Sequence, residues 1–569
     1  MKDKQEFFQQ LSAMDGKDIT EYRGIIGDFD FSRYVVKINR VPEDPAQRTV
    51  LFVVRVPQTI AGFPPHLFNT PIRRTALEDL LTRKIATTCE RLATFDDDGI
   101  ARRRISIAAP GQKILPRSSM VVSEDYIEAR LNIELPARRG LILGPAAQQI
   151  FFEDLPRLVD AVLIYCNLEE NELERFADNM EDVDHIRQAL PTRGLVSFIG
   201  QGCRPERALR SDRPAANAAR FDIADELQIE LEVPNRGAVR GLGIPAGITV
   251  ILGDDQSGRI ALTRAIAAGI YNHVPDDGRE LVVTMPDAVY LSAEPGRSVQ
   301  RVDISPFTGA PGAELPAYTS DCAAAAAAQA ASTVEMLEIG ARALIFDESD
   351  SAAAFLSRDM RLADLYKDAG GPGRTLASRA RQLADELGIS IVVAGSSAAA
   401  DFIPVADLVL RVVANRVADV TREARELQIA PPAAEPSAAD LVRTIEKARW
   451  VVPASIDASV GPHDAELAAT AIDKLRFGRQ IIDLAGNCQL ADLHQTATIA
   501  LVLHYAKLRY LDEGRPIREI LDLVDRDLST EGLESLSREQ RGDLARPRRY
   551  EIAAALNRLR TLRISHAGE

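Results

Sequence analysis

Apolar and polar positions change rhythm twice along this chain. From residue 195 to residue 425, short continuous apolar runs alternate with stretches of helical periodicity. The runs at 227–231, 248–252, 281–284, 343–346, 389–394 and 407–412 include several with no regular polar alternation. They predict strands covered on both faces, and the helices between them predict a largely parallel α/β sheet. Ahead of this region the pattern is mixed. Residues 50–56 have strand composition, 75–88 have helical spacing, 96–99 form a turn, 102–107 begin a second strand region, and 126–135 make another strand. Residues 146–190 are helical with breaks, 194–200 read as the strand that opens the middle region, and 204–217 read as a surface loop. The second change falls at 430–437, a Pro- and Ala-rich linker. Beyond it the pattern is mostly helical, with strand pieces at 450–452 and 480–484. Three parts follow: an α+β domain over 1–194, an α/β domain over 195–429, and a linker with a mostly helical domain over 430–569.

Length and composition change this picture little. A chain of 569 residues exceeds one domain, and 46% hydrophobic residues supply ample core. The net charge of −15 argues against a wholly basic nucleic-acid binder, while leaving room for a local basic face. No apolar run reaches the ~18 residues of a membrane span. The first residues carry no apolar segment of the signal-peptide kind, which predicts a cytoplasmic protein. Cys89, Cys166, Cys203, Cys322 and Cys488 are scattered without a CxxC pair, as expected for reduced thiols in that compartment.

The candidate chemistry lies where the 248–252 strand ends. It runs into Gly253-Asp254-Asp255-Gln256-Ser257-Gly258-Arg259-Ile260, and a helical pattern follows over 261–270. Strand, glycine-bounded loop and helix is the setting of a phosphate-binding loop, and Gly253 and Gly258 have its spacing. Arg259 stands where the phosphate-gripping Lys belongs, and Ile260 where the Mg²⁺-binding Ser or Thr belongs. Asp347 and Glu348 end the apolar run 343–346, 88 positions beyond Arg259. That is the Walker B pattern, in which Asp347 would orient Mg²⁺ and Glu348 would polarise the attacking water.

At these residues, and at phrases spread over nearly the whole chain, the sequence resembles the family of predicted ATPases of the ABC class. The phrases include Ala61-Gly62-Phe63-Pro64, Arg73-Arg74-Thr75-Ala76-Leu77-Glu78-Asp79, Gly269-Ile270-Tyr271-Asn272-His273-Val274-Pro275 and Val302-Asp303-Ile304-Ser305-Pro306-Phe307. The resemblance implies a P-loop core like that of ABC transporter ATPases, flanked by an α+β N-terminal and a mostly helical C-terminal domain. It also implies ATP and Mg²⁺ as ligands and a homodimer as the assembly. Against the family pattern, Gly-Lys-Ser or Gly-Lys-Thr is here Gly258-Arg259-Ile260. The signature segment, which in the family closes over the partner subunit's γ-phosphate, is replaced by Ala324-Ala325-Ala326. A later Gly-Ser-Gly turn is replaced by Ala398-Ala399-Ala400.

These departures converge on one triphosphate. Each carboxylate of Asp254 and Asp255 beside a cradle of backbone N–H groups would repel phosphate by about 1–4 kcal/mol at ~4 Å. An Arg is not equivalent to Lys in a tight loop, and Ile260 offers Mg²⁺ no oxygen. Asp347 and Glu348 can equally cap a strand or pair with Arg, and Arg259 can pair with Asp254 or Asp255 and hold the empty loop shut. His273 reads as a packed or hydrogen-bonded residue. The leading expectation is an ATPase homologue with a degraded site acting as a scaffold or interaction protein; an active, unconventional ATPase is the alternative. A third reading makes the fold an RNA-binding platform through Arg102, Arg103, Arg104, Arg548, Arg549 and Arg558, against the reading of solvated or salt-bridged faces.

Overall fold

The computed structural model describes the chain apart from residues 43–48, 96–100, 103, 210, 256, 309–314, 358–373, 428, 430–437, 462–464, 512–513 and 566–569. The expected turn at 96–99 and linker at 430–437 lie outside the described residues. Backbone contacts divide the chain into two units, Met1–Glu181 with Leu533–Arg546, and Asp182–Gly532 with Pro547–Glu569.

The first unit is built on a seven-stranded sheet. Its strands are β1 (Lys2–Asp3), β2 (Gly27–Asp30), β3 (Val35–Ile38), β4 (Thr49–Pro57), β5 (Ile105–Ser106), β6 (Met120–Val122) and β7 (Tyr126–Glu134). The order is β1-β2-β3-β4-β7-β5, with β6 also paired to β7. The β-branched residues of β4 and β7 suit a pleated, covered surface, and the two strands pair antiparallel along their whole length, Tyr126 opposite Pro57 and Glu134 opposite Thr49. Helix α1 (Pro71–Arg91) starts where the Thr70 hydroxyl accepts the Arg73 N–H and where Pro71 occupies the first turn. It buries Ala76, Leu77, Leu80, Leu81 and Ile85. The unit is completed from far along the chain. Ser118 donates its N–H to the Leu544 carbonyl at 3.0 Å, the Leu544 N–H returns to Ser118 Oγ at 3.0 Å, and Leu544 and Ala545 are buried.

The second unit holds the candidate site. Its strands are β8 (Leu195–Gly200), β9 (Asp222–Ile223), β10 (Gln228–Val233), β11 (Gly237–Pro245), β12 (Ile248–Leu252), β13 (Val282–Thr284), β14 (Ala288–Tyr290), β15 (Ala343–Asp347), β16 (Ser390–Gly395), β17 (Leu408–Val413) and β18 (Arg416–Asp419). A seven-stranded sheet runs β9-β18-β17-β12-β16-β15-β14. From β17 to β14 it is parallel, and β18 turns back antiparallel. The continuous apolar runs account for β12, β15 and β16, which are buried almost end to end. In register, Leu252 faces Gly395 and Asp347 faces Ala394. The loop after β12 and the acidic end of β15 therefore lie at the same edge of the sheet, one strand apart. A four-stranded antiparallel sheet, β10-β11-β8-β13, packs over a cluster that includes Val183, Ile186, Phe198, Leu231 and Val283.

Helix α2 (Arg259–Ala268) leaves the loop after β12. Helices α3 (Ala325–Glu338) and α4 (Leu376–Leu387) follow, then α5 (Leu493–Arg509) and α6 (Arg549–Arg558) near the C-terminal end. The part expected to be mostly helical also contains a three-stranded meander over Leu467–Ala471, Lys474–Phe477 and Gln480–Asp483. Leu467-Ala468-Ala469-Thr470-Ala471 has the composition of a helix, and ladder pairing overrides that propensity.

Candidate functional site

The loop needs its glycines. Gly258 adopts φ +94°, and a Cβ there would lie 2.1 Å from Asn415 Oδ1. A Cβ on Gly253 would lie 2.5 Å from Ser257 Oγ and 2.9 Å from the Val412 carbonyl. Several of the loop's backbone N–H groups are directed to the chain itself. That of Gly253 donates to the Gly395 carbonyl at 3.3 Å and that of Ser257 to the Asp254 carbonyl at 3.2 Å. The Arg259 N–H meets Ser257 Oγ at 3.2 Å.

Arg259 opens α2, and only 2% of it is exposed. Its three guanidinium nitrogens each have a partner. Nε donates to the Gly253 carbonyl at 2.9 Å, Nη1 to Asp347 Oδ2 at 2.7 Å, and Nη2 to Asp255 Oδ1 at 2.8 Å. The other oxygen of Asp347 accepts the Ser349 N–H at 3.0 Å and the Ser349 hydroxyl at 2.6 Å. Asp347 is buried, so Arg259–Asp347 is an ion pair with both ends out of water. Asp254 is exposed, and of the two loop aspartates it is Asp255 that reaches the guanidinium. A second pair runs alongside the first. Arg264, five positions on along α2, pairs with Asp350, which also accepts the Tyr290 hydroxyl at 2.7 Å. The Arg264 guanidinium lies over the Tyr290 ring at 4.6 Å.

Glu348 turns the other way. Its Oε2 accepts the N–H groups of Ser396 at 2.7 Å and Ser397 at 3.0 Å, and its Oε1 accepts the Ser397 hydroxyl at 2.9 Å. The carboxylate thus sits at the start of the short 3₁₀ helix Ala398–Val405. Gly395 makes room for it, because a Cβ there would lie 2.2 Å from Glu348 Oε2. Partial burial pushes this carboxyl up, but the N–H groups of Ser396 and Ala398 and the Ser397 hydroxyl outweigh that and hold it below the ordinary glutamate value. A folded-state pKa below the unfolded one gives stability that is present above the unfolded value and lost as pH falls through the folded one. Glu348→Gln is therefore expected to lower stability at pH 7 by about 1–3 kcal/mol. The gap between the two melting temperatures should narrow as pH is taken below about 4, as thermal unfolding from pH 7 to pH 3 would register.

The alanines that replace the signature segment begin α3 with no side-chain cap at Ala324. One buried residue there escaped the sequence reading. Gln329 donates to the Leu291 carbonyl and Ser351 Oγ at 3.2 and 3.0 Å and accepts the Ala352 N–H at 2.8 Å, tying α3 to the segments after β14 and β15. In sequence it opens Gln329-Ala330-Ala331, which the family resemblance matches to the Gln-Ala-Ala after the signature segment, but nothing there pointed to these contacts. His273 is buried, with Nδ1 2.8 Å from Asp277 Oδ2, and burial holds its pKa below the ordinary value despite the aspartate.

The arginine clusters do not share one environment. Arg103 and the Arg102 side chain lie outside the described residues. Arg104 donates to Gln149 Oε1 at 2.9 Å. Arg548 is largely buried; it pairs with Glu551 at 2.6 Å and donates to the carbonyls of Pro286 and Ala288 at 2.7 and 2.9 Å. Arg558 pairs with Glu294, and Arg549 with Asp522 and Asp525. Helix α6, which carries Arg549 and Arg558, is buried along its length. Among the described residues no group of three or more His, Cys, Asp or Glu side chains could hold a metal ion, and no helix is long and apolar enough to cross a membrane.

A parallel sheet whose inner strand passes through a glycine-bounded loop into a helix, with an Asp-Glu pair one strand away, defines a P-loop domain. Residues 169–447 match the P-loop domain of the ABC ATPases, and residues 4–166 match the domain described as ATPase of the ABC class N-terminal. The chain belongs to the ATPases of the ABC class. Residues 466–565 match a domain described as the MRB1590 C-terminal domain. Among curated proteins, the chain is 32% identical over 117 residues to an uncharacterized protein, MJ1628, of Methanocaldococcus jannaschii; the match takes in 19% of this chain and spans 26% of that protein's length. Among solved structures it is similar to CbiO1 from Clostridium perfringens, part of the ABC transporter complex CbiONQ, at 14% identity and a TM-score of 0.22, over 41% of this chain and 91% of the other.

Proposed function

We propose that this protein is an ABC-class ATPase homologue whose nucleotide site has become an internal ionic lock, and that it serves as a scaffold or interaction protein in the cytoplasm with weak or no ATP hydrolysis. The observation that carries this reading is the position of Arg259. Its guanidinium ties together Gly253, Asp255 and Asp347, so the side chain that replaces the phosphate-gripping Lys is committed to the protein. The family's ligands, ATP and Mg²⁺, do not fit this arrangement. Both oxygens of Asp347 are engaged by donors, and Ile260 brings no oxygen. Glu348, the residue expected to polarise water, spends its carboxylate on the Ser396–Ser397 turn. Homodimer formation is kept in the proposal from the family resemblance, and light scattering on the purified full chain tests it. The RNA reading is weakened because Arg548, Arg549 and Arg558 are paired with carboxylates.

The direct test is phosphate release from Mg·ATP by the full-length protein, alongside calorimetry with ATP and ADP. The expected result is turnover no higher than that of Glu348→Gln, and no tight Mg·ATP binding. Turnover that disappears in Glu348→Gln would overturn the proposal in favour of an unconventional active ATPase.

A further inference from the structure

Residues 533–546 belong to the first unit but add no strand to its sheet. Their regular structure is a 3₁₀ turn over Leu533–Leu536 and an isolated bridge between Arg117 and Ala545. Leu533 and Leu536 at one end, and Leu544 and Ala545 at the other, are buried. Between them, Ser537-Arg538-Glu539-Gln540-Arg541-Gly542-Asp543 holds no apolar side chain. The middle of this strap is fastened by polar contacts. Glu534 pairs with Arg130, whose Nη1 also donates to the Arg541 carbonyl at 3.0 Å. Gln540 donates to Glu128 Oε1 at 3.3 Å and accepts from Asn39 at 2.9 Å, and Glu539 pairs with Arg40. The Glu534 side chain is 47% exposed, and both ends of the Arg40–Glu539 pair lie in water, so salt screens these pairs.

The face beneath is charged and balances itself. Glu128 and Arg130 point to the same side of β7, and Glu128 stands opposite Arg55 on β4. Arg55 Nε donates to Glu128 Oε2 at 2.9 Å, and Arg130 Nε to Glu128 Oε1 at 3.1 Å. Breaking a buried pair is costly when it strands a charge without its partner. Here, departure of the strap sends Glu534 into water and leaves Arg130 with Glu128. The strap's backbone bonds with Pro116 and Ser118 lie outside the β4–β7 ladder, so the ladder survives that departure. Segments held in this way open well below the free energy of global unfolding. Gly542 provides a handle. A Cβ there would lie 2.8 Å from Arg130 Cβ and 3.0 Å from the Arg130 carbonyl, so a side chain would pry the strap from β7.

We infer that residues 533–546 form a strap that opens as one unit while the β4–β7 sheet stays folded, with ionic strength setting its opening through Glu534 and Arg130. Opening bares the line Arg55, Glu128 and Arg130. This goes beyond the proposed function and does not depend on Arg259. The test is peptide-resolved hydrogen exchange of the full-length protein, followed by mass spectrometry. The reporters are the Ser118, Leu544 and Arg546 amides, which are hydrogen-bonded between strap and unit. They should exchange at least tenfold faster than the β4–β7 ladder amides. Raising NaCl from 0.05 to 0.5 M should speed them at least threefold further and leave the ladder unchanged. Glu534→Gln should exchange in low salt as the parent does in high salt and lose the salt response. Gly542→Ala should speed the reporters at least tenfold, again without moving the ladder. The inference is overturned if reporters and ladder exchange at one rate, if salt leaves the reporters unmoved or shifts both sets alike, or if the two variants leave the reporters at the parent's rate or speed the ladder equally.

Discussion

Replacing Arg259 with methionine is expected to lower the free energy of unfolding by about 3–5 kcal/mol, because it strips a buried carboxylate of its counter-charge. Asp347 is 1% exposed and would keep only the Ser349 donors on its other oxygen. The Gly253 carbonyl would lose its Nε partner in the same step. The sign reverses in the double variant. Arg259→Met with Asp347→Leu removes both charges from a site that water does not reach, and such replacements are often neutral or stabilising. Denaturant unfolding of the parent, both single variants and the double variant closes the cycle. A recovery of most of the loss identifies the pair as a lock; additive losses would mean that the two residues act separately. Asp255 contributes little to this sum, since its side chain is largely exposed and its pairing is screened by solvent.

Arg548→Met is expected to cost a similar amount, about 3–5 kcal/mol, on the same ground at a second buried pair. Glu551 is fully buried, and Arg548 supplies its counter-charge while donating to the carbonyls of Pro286 and Ala288. Arg549→Met, by contrast, loses pairings with half-exposed aspartates and should cost no more than about 1 kcal/mol. Chemical denaturation of the two variants separates them. The difference also decides how an RNA-binding experiment is built. Charge reversal at Arg548 or Arg558 would disturb the fold before it tested any contact with phosphate, so Arg549 is the informative position.

What could be read in advance was local. The apolar runs placed β12, β15, β16 and β17 to within a residue or two, because a strand buried on both faces leaves an uninterrupted signature. The glycine spacing placed the loop, and Arg259 and Ile260 marked it as unusual from the sequence alone. The sequence also put Asp254 and Asp255 near Arg259, but it could not tell which one the guanidinium meets. That depends on Asp347, 88 positions away and brought alongside by β16. The role of Gly395 is visible only when Glu348 occupies the space a Cβ would need. Of the meander over 467–483, the strand at 480–483 was expected, while Leu467–Ala471 was hidden by alanines whose helix propensity is outweighed by cross-strand pairing.

The first unit borrows residues 533–546 from the far end of the chain. During synthesis its sheet therefore emerges some 400 residues before the strap that finishes it, a gap of tens of seconds at about 5–20 residues per second. Until the ribosome reaches Leu544, Ser118 lacks both hydrogen bonds to that strap, and Arg130 lacks the Arg541 carbonyl and the Glu534 carboxylate that it pairs with in the finished unit. A nascent chain arrested before that point would carry an unfinished first unit, and chaperone demand should fall only once residues 533–546 have been made.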